Sequence, residues 1–358
     1  MSYINLKRFV DINIVSTKTI KPKSIRDTVV LLSKTGEKGS NNVYNDYNEI
    51  PSDLDANLKN YAKCYFDNGG NKLKIISGIQ PADLLSTVKS LSNEEIVIAY
   101  DGTFEELNEN LLKTLKNEDY YGINKKIILG RVDKNTYSDD IKGLTYNDLA
   151  LKYSNKIGAE MSIGAYLSNI DINVTNSIQD YAFTAENNEL EEKDIDDDKL
   201  KEFIDNNINV DIFLSGKVRN IGGNLKDGTD LINQYALILL QQTCTDKVLE
   251  VLTAKISGQE GISKIYNALT NELSKYVNNG YLITDKVWSS EDNYVEYNGK
   301  NYLVIKKGTP LISGYNITIL PFSSLTEEEV KQHKCPLIYL VLASRYGIRA
   351  VTIEGEVI

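Results

Sequence analysis

Apolar and polar residues alternate with a period of two near both ends of the chain. The apolar positions are Val10, Ile12 and Ile14 near the N-terminus, and Val351, Ile353 and Val357 at the C-terminus. This alternation is typical of strands that bury one face. Because an open strand edge invites pairing with another chain, we expect residues 1–20 and 346–358 to be strand arms that join subunits.

Between the arms, the pattern changes to short apolar runs that alternate with helical periodicity. The predicted strands are Thr28–Leu32, Lys72–Ser77, Glu95–Tyr100 and Lys126–Arg131, and the predicted helices span 54–68, 81–91 and 103–117. Strands that alternate with helices indicate an α/β layer with a partly parallel sheet. We therefore predict an outer α/β domain over residues 21–195.

An acidic run near residues 186–200 is predicted to be a surface excursion and a domain boundary. Beyond it, two helices are predicted over 229–256 and 258–279, the first apolar on nearly all sides through Tyr235–Leu240 and therefore expected to be deeply buried. Asn298-Gly299 predicts a hairpin turn, and Thr326 with Glu329 predicts a capped short helix. Residues 196–345 are therefore predicted to form an inner α+β domain, which makes the whole chain α+β.

Composition argues against several classes of protein. The formal net charge of −10 over 358 residues argues against a nonspecific nucleic-acid binder, which normally carries a basic surface. The sequence has neither an apolar run long enough for a membrane span nor the order of a secretion signal. We expect a protein that folds in a cytosol, with its three cysteines as buried, reduced thiols.

Three features of the sequence partly resemble ligand-binding or catalytic motifs, and none of them fits. The loop between Gly36 and Gly39 is too short for a phosphate-binding loop. The calcium-like spacing of Asp194, Asp196 and Asp198 lacks the required glycine and glutamate. His333, the one histidine, has no catalytic pattern around it, and we predict a solvated residue at a helix end. The sequence therefore predicts no catalytic residue, metal or cofactor, and we expect a protein that is not an enzyme.

Four stretches resemble the contractile tail sheath family of bacteriophages and R-type bacteriocins. The matching residues are Tyr65, Phe66, Asn68, Gly69 and Gly70; the Asp-Gly-Thr turn at 227–229; Lys255, Ile256, Gly261, Ile262, Asn279 and Gly280; and Pro336, Ile338, Ile348, Val351 and Ile353. Departures from the family include Ser257–Glu260 in place of Pro-Tyr-Thr-Asp, Tyr346 in place of glycine and Arg349 in place of histidine. The stretches follow the family order from Tyr61 to the C-terminus.

The resemblance implies a structural subunit that polymerises around an inner tube and contracts to drive the tube through a cell envelope. Both arms would add strands to neighbouring subunits. The implied partners are further copies of the chain, the tube protein, and baseplate and tail-terminator proteins. Assembly would occur in the bacterial cytoplasm, and the mature protein would reside in a phage tail or a bacteriocin particle.

The cations Lys331, Lys334 and Arg345 cluster late in an otherwise acidic chain, so we predict that they face the tube. The alternative to a sheath subunit is a cytosolic α/β enzyme or small-molecule-binding protein with a helical C-terminal domain. That class accounts for the alternation of strands and helices but leaves the terminal strands unexplained.

Overall fold

The computed structural model describes residues 13–14, 28–117, 125–175, 177–252 and 258–343. Its strands are β1 Asn13–Ile14, β2 Thr28–Leu32, β3 Asn41–Tyr44, β4 Lys72–Ile76, β5 Val97–Tyr100, β6 Ile127–Val132, β7 Leu149–Tyr153, β8 Asn209–Leu214, β9 Lys217–Ile221, β10 Lys286–Val287, β11 Asn293–Tyr297, β12 Lys300–Ile305, β13 Pro310–Leu311, β14 Tyr315–Ile319 and β15 Ile338–Leu342. Its helices are α1 Ala56–Asp67, α2 Leu84–Ser90, α3 Phe104–Leu107, α4 Lys113–Asn117, α5 Asp139–Lys142, α6 Met161–Ser168, α7 Asp197–Asp205, α8 Leu231–Leu252, α9 Gly258–Asn278 and α10 Glu327–Lys331, and a π-helical turn at Asn108–Leu112 joins α3 to α4.

Eight strands form one sheet in the order β3-β4-β2-β5-β6-β7-β8-β9. The six central strands are parallel, and the edge strands β3 and β9 are antiparallel to their neighbours. The prediction of an α/β layer with a partly parallel sheet is confirmed, and each of the four predicted strands coincides with an observed one to within two residues.

Both faces of this sheet are buried, as a mainly parallel sheet requires. In β2, Val29 and Leu31 belong to the core beneath α1 and α6, whereas Val30 and Leu32 belong to the core beneath α2, α3 and α4. The first of these cores continues into α8, α9 and β15. The predicted deep burial of the helix at 229–256 is confirmed, because apolar residues on nearly every side of α8 lie in this core.

The predicted boundary at residue 195 is wrong as an end of the α/β layer. β8 and β9 lie beyond it, yet β8 pairs in parallel with β7 and extends the same sheet. The acidic run is also more than a surface excursion, since Asp196 caps α7 and Phe203 of that helix is fully buried. In the sequence pattern, the charges of this run outweighed Phe203, which packs α7 against the sheet.

Local signals in the sequence are confirmed. The hairpin of β11 and β12 turns at Asn298 and Gly299, both with positive φ. Thr326 and Glu329 form a capping box at α10. Gly280 follows α9 with a φ of 80°, and α1 stops before Gly69, whose φ is 82°. Glycine tolerates this left-handed conformation without a steric penalty. Ser257, predicted to cap α9, lies outside the described residues.

A buried ion pair fastens β8 to β7. The Nζ atom of Lys152 lies 2.6 Å from Oδ2 of Asp211, and both side chains are fully buried. Lys152 also donates to Ser162 Oγ at 2.5 Å. Asn209 adds a second link, because its Nδ2 donates to the Leu151 carbonyl and its Oδ1 accepts from the Gly223 N–H. Polar contacts therefore connect the two strands across the predicted boundary.

Removal of one partner of this ion pair should destabilise the fold strongly, because the other charge would remain buried and uncompensated. We expect Asp211→Leu alone to lower the free energy of unfolding by about 3–5 kcal/mol. The double variant Lys152→Met, Asp211→Leu should lose less than Asp211→Leu does, since it leaves no isolated charge. Urea unfolding followed by circular dichroism measures both. The single variant Lys152→Met completes the comparison. If the double variant lost as much free energy of unfolding as the two single variants lose together, the two side chains would not be coupled.

Candidate functional site

A small sheet in the order β1-β15-β14 has β14 as one of its two edge strands, and among the described residues β14 pairs with β15 alone. Hydrogen bonds at both ends of the antiparallel β14–β15 ladder fix its phase. The Leu320 N–H donates to the Leu337 carbonyl at 2.9 Å, and the Ala343 N–H donates to the Gly314 carbonyl at 2.7 Å. Since partners alternate along such a ladder, the odd-numbered residues of β14 direct their N–H and C=O groups away from β15. These residues are Tyr315, Ile317 and Ile319.

A groove of about 420 Å³ separates this edge from α9. Ile317 and Ile319 form one wall, and α9 forms the other with the apolar side chain of Ile262, the ring of Tyr266 and the polar side chains of Gln259, Ser263 and Asn267. The side chains of Ile317 and Ile319 are only half-buried, although they pack against the main core. The edge therefore offers unpaired backbone groups beside an apolar surface.

This apolar surface continues towards α10. A second cavity of about 330 Å³ shares Ile262 with the groove and is lined further by Phe322, Leu325 and Val330. Phe322 and Val330 are 41% and 54% exposed. Large apolar side chains that are exposed together in this way mark surfaces where other molecules dock.

Glu329 attaches the β11–β12 hairpin to α10. Its carboxylate accepts from the Tyr297 hydroxyl at 2.5 Å, from Asn298 Nδ2 at 2.8 Å and from the Thr326 N–H at 3.0 Å. The Tyr297 bond, followed by the Thr326 and Asn298 bonds, lowers the pKa of Glu329 to about 2. The turn of the hairpin therefore docks on a carboxylate that stays charged well into the acidic range.

The structure describes only part of the predicted subunit-joining arms. Ile14 lies in β1 and pairs in parallel with Leu340 of β15 in the same chain. Val10, Ile12, Val351, Ile353 and Val357 lie outside the described residues. Of the six residues predicted to join subunits, Ile14 is thus the one that is described, and it is paired within its own chain, in the same small sheet as β14.

The predicted tube-facing residues have acidic surroundings. Lys331 and Lys334 are exposed, as expected for a solvated helix end. However, α10 also carries Glu327, Glu328 and Glu329, and Lys334 Nζ lies 3.4 Å from Glu329 Oε1. The two lysines do not stand on a basic patch. Arg345 lies outside the described residues.

The segments compared with chemical motifs have structural roles. Gly36 and Gly39 occupy a loop between two strands, with φ values of 88° and 82°. Asp196 caps a helix, and among the described residues no group of three or more His, Cys, Asp or Glu side chains could hold a metal ion. His333 is exposed after the end of α10, as predicted.

Two further findings concern the cysteines and the helices. The prediction of buried thiols is wrong for Cys335, which is exposed in the loop between α10 and β15, whereas Cys244 is buried and Cys64 is partly buried. No helix within the described ranges is long and apolar enough to cross a membrane.

β14 was not among the predicted strands, although the sequence there has the alternating pattern of a strand. Tyr315, Ile317 and Ile319 alternate with Asn316 and Thr318, which is the period of a half-buried strand. What the alternation could not show is that β15, rather than a strand on each side, pairs with β14.

Replacement of Glu329 by glutamine should loosen the hairpin without unfolding the core. Folding depresses the pKa of Glu329 from 4.5 to about 2. Its contribution to stability is therefore complete above the unfolded value and is lost as the pH falls towards 2. We expect the fluorescence of Trp288, which packs in the core beneath this hairpin, to show a transition between about 4.5 and about 2 that Glu329→Gln lacks.

Glu328→Gln is the matched control, because Glu328 lies beside Glu329 but is exposed, and its carboxylate accepts from Gln332 Nε2 rather than from the hairpin. Its acid transition should equal that of the unmodified protein. An unchanged transition in Glu329→Gln would show that this carboxylate does not hold the hairpin.

No protein-family model matches this chain, and neither does any curated protein sequence.

Proposed function

We propose that this protein is the subunit of a contractile tail sheath, which assembles around an inner tube by strand exchange between subunits. The observation that supports this most directly is the open edge of β14, where Tyr315, Ile317 and Ile319 present unpaired backbone groups beside an apolar groove. Edges of this kind are templates for an added strand.

The chemistry of the predicted arm suits that edge. Val351 and Ile353 are two residues apart, so in an extended arm both side chains lie on one face. An arm paired with β14 can therefore place both in the groove against α9, while its backbone bonds to the odd-numbered residues of β14. Each well-buried Val or Ile contributes about 1.5–3 kcal/mol, so a single join is modest and a repeated lattice of joins is strong.

The position of the arms also supports an open lattice. The N-terminal arm leads into β1, the C-terminal arm follows β15, and β14 is the outer strand of the same small sheet. Each subunit would thus donate strands from the sheet that also accepts one. A donated arm and an accepting edge are different surfaces of the subunit, so they make a head-to-tail contact, and such contacts build helical assemblies or rings rather than closed dimers.

Contraction, the tube, the baseplate and the tail terminator enter this proposal through the family resemblance. In such a machine the extended lattice is trapped and releases energy stored in subunit contacts. No bound nucleotide, cofactor or catalytic residue is then needed. Assembly in a bacterial cytoplasm and a final place in a phage tail or bacteriocin particle are part of the same proposal.

One observation favours the alternative class, a cytosolic α/β enzyme or small-molecule-binding protein. A cavity of about 390 Å³ opens at the carboxyl ends of β2, β5 and β6, where open α/β sheets commonly bind ligands. Electron microscopy separates the two classes. Hollow cylinders or rings support a sheath, whereas a dispersed monomer with a ligand-dependent melting temperature supports the alternative.

Deletion of residues 351–358 should leave a folded, soluble subunit that does not polymerise, because the main core is formed by the large sheet, α8 and α9. The double variant Val351→Asp, Ile353→Asp should behave in the same way, since it would bury two unpaired charges in the joint. Circular dichroism, sedimentation and electron microscopy report fold, size and assembly. Normal cylinders from the truncated chain would show that the arm does not join subunits.

The accepting edge can be tested separately with Ile317→Pro. The N–H of Ile317 points away from β15, so proline should block an added strand while it spares the β14–β15 ladder. We expect a folded protein that assembles no better than the arm deletion. Val43→Pro is the control, because Val43 lies on the exposed edge strand β3 of the large sheet. Equal loss of assembly in both variants would contradict a specific role for β14.

A further inference from the structure

The cavity at the carboxyl ends of the strands is built from segments that are distant in sequence. Lys34 follows β2, Asp101 follows β5, and Arg131 lies at the end of β6. The chain passes from β2 to β4 on one side and then returns to β5 on the other, so the cavity lies at the point where the strand order reverses. The crevice at such a point is the usual ligand site of an open α/β sheet.

A buried carboxylate with one unsatisfied oxygen lines this cavity. Glu160, which directly precedes α6, is 2% exposed, and its Oε2 atom has no hydrogen-bond partner. The nearest cationic group is Arg131, whose Nε lies 3.7 Å from that oxygen and is itself unsatisfied. A buried polar group without a partner costs about 1–3 kcal/mol, and more when it is charged. Glu160 therefore has an unused capacity to accept a hydrogen bond.

The charge balance around the cavity is negative. The carboxylates that line it are Asp55, Asp101, Asp133 and Glu160, and the cations that line it are Lys34 and Arg131. Lys34 is already engaged, since its Nζ lies 2.7 Å from Glu106 Oε1. Asp101 is held rigidly, because it accepts from Ser33 Oγ at 2.6 Å and from the Lys34 N–H at 2.8 Å. The formal charge of the lining therefore favours a cation over an anion.

Aromatic side chains supply the rest of the lining. Tyr61, Tyr100 and Phe104 all face this space. Aromatic faces attract organic cations through the ring quadrupole, and the attraction is larger where water is excluded. Because no group of three or more His, Cys, Asp or Glu side chains in the described ranges could hold a metal ion, the combination favours an organic cation over a metal.

We propose that this cavity binds a small organic cation, a primary amine or a guanidinium, whose N–H groups donate to Glu160 Oε2 and whose carbon chain packs against the aromatic walls. This site is separate from the β14 edge, and it does not depend on the sheath proposal. A ligand that binds only the folded subunit would raise its melting temperature.

Isothermal titration calorimetry of the full-length protein with 1,4-diaminobutane and with agmatine tests the proposal. We expect saturable binding with one site per chain for at least one of them, and at least tenfold weaker binding to Glu160→Gln. Asp83→Asn is the control, because Asp83 is on the surface, outside the cavity, and its carboxylate pairs with exposed Lys38. Succinate, an anion of similar size, should not bind. Absence of saturable amine binding, equal affinity in Glu160→Gln, or a preference for succinate would overturn the proposal.

A pair of variants at the cavity mouth keeps the test decisive if Glu160→Gln does not fold. Ile157 lines the cavity and is 41% exposed, so a charged residue there leaves the core intact. Ile157→Lys should weaken amine binding at least threefold, whereas Ile157→Glu should not weaken it. If the two variants bound the amine equally, the cavity would not be the site.

Discussion

The connection between β7 and β8 depends on a charged pair without access to water. β8 meets β7 in register at only two positions, Lys152 with Asn209 and Tyr153 with Val210. Two backbone pairs are a weak join for a strand that carries the β8–β9 hairpin at the edge of the sheet. The Lys152–Asp211 ion pair stabilises the contact between β7 and β8 only while both partners are present, because either charge alone would be buried without compensation. The attachment of the last two of the eight strands thus depends on the two residues together.

The sequence allowed the local elements to be predicted and the long-range ones only in part. β2, β4, β5 and β6 were predicted because each is a short apolar run between turn residues, and α8 because its apolar residues leave no polar face. The boundary at 195 was predicted wrongly, since the net charge of the acidic run outweighed Phe203 in the pattern. Charge patterns report exposure on average, whereas one buried aromatic side chain decides where a helix packs.

The candidate sites were harder to predict than the fold for a physical reason. The open edge of β14 is defined by the phase of a ladder with β15, which lies beyond α10 in the chain. The cavity brings together Lys34, Asp101, Arg131 and Glu160, which share no sequence neighbourhood. Such groupings arise from the order of strands, and strand order is set by contacts that no local pattern contains. By contrast, the Asn298-Gly299 turn and the Thr326 cap depend on neighbouring residues alone.

The parallel pairing of β1 with β15 has a mechanical consequence. β1 is the first strand of the described chain, and β15 is the last. In a parallel pair, the beginning of one strand and the end of the other lie at opposite ends of the ladder. A force applied between the start of β1 and the end of β15 therefore acts along the strands. It loads all the hydrogen bonds of the pair at once, instead of breaking them one after another. A subunit pulled at these two points would therefore resist the force in shear.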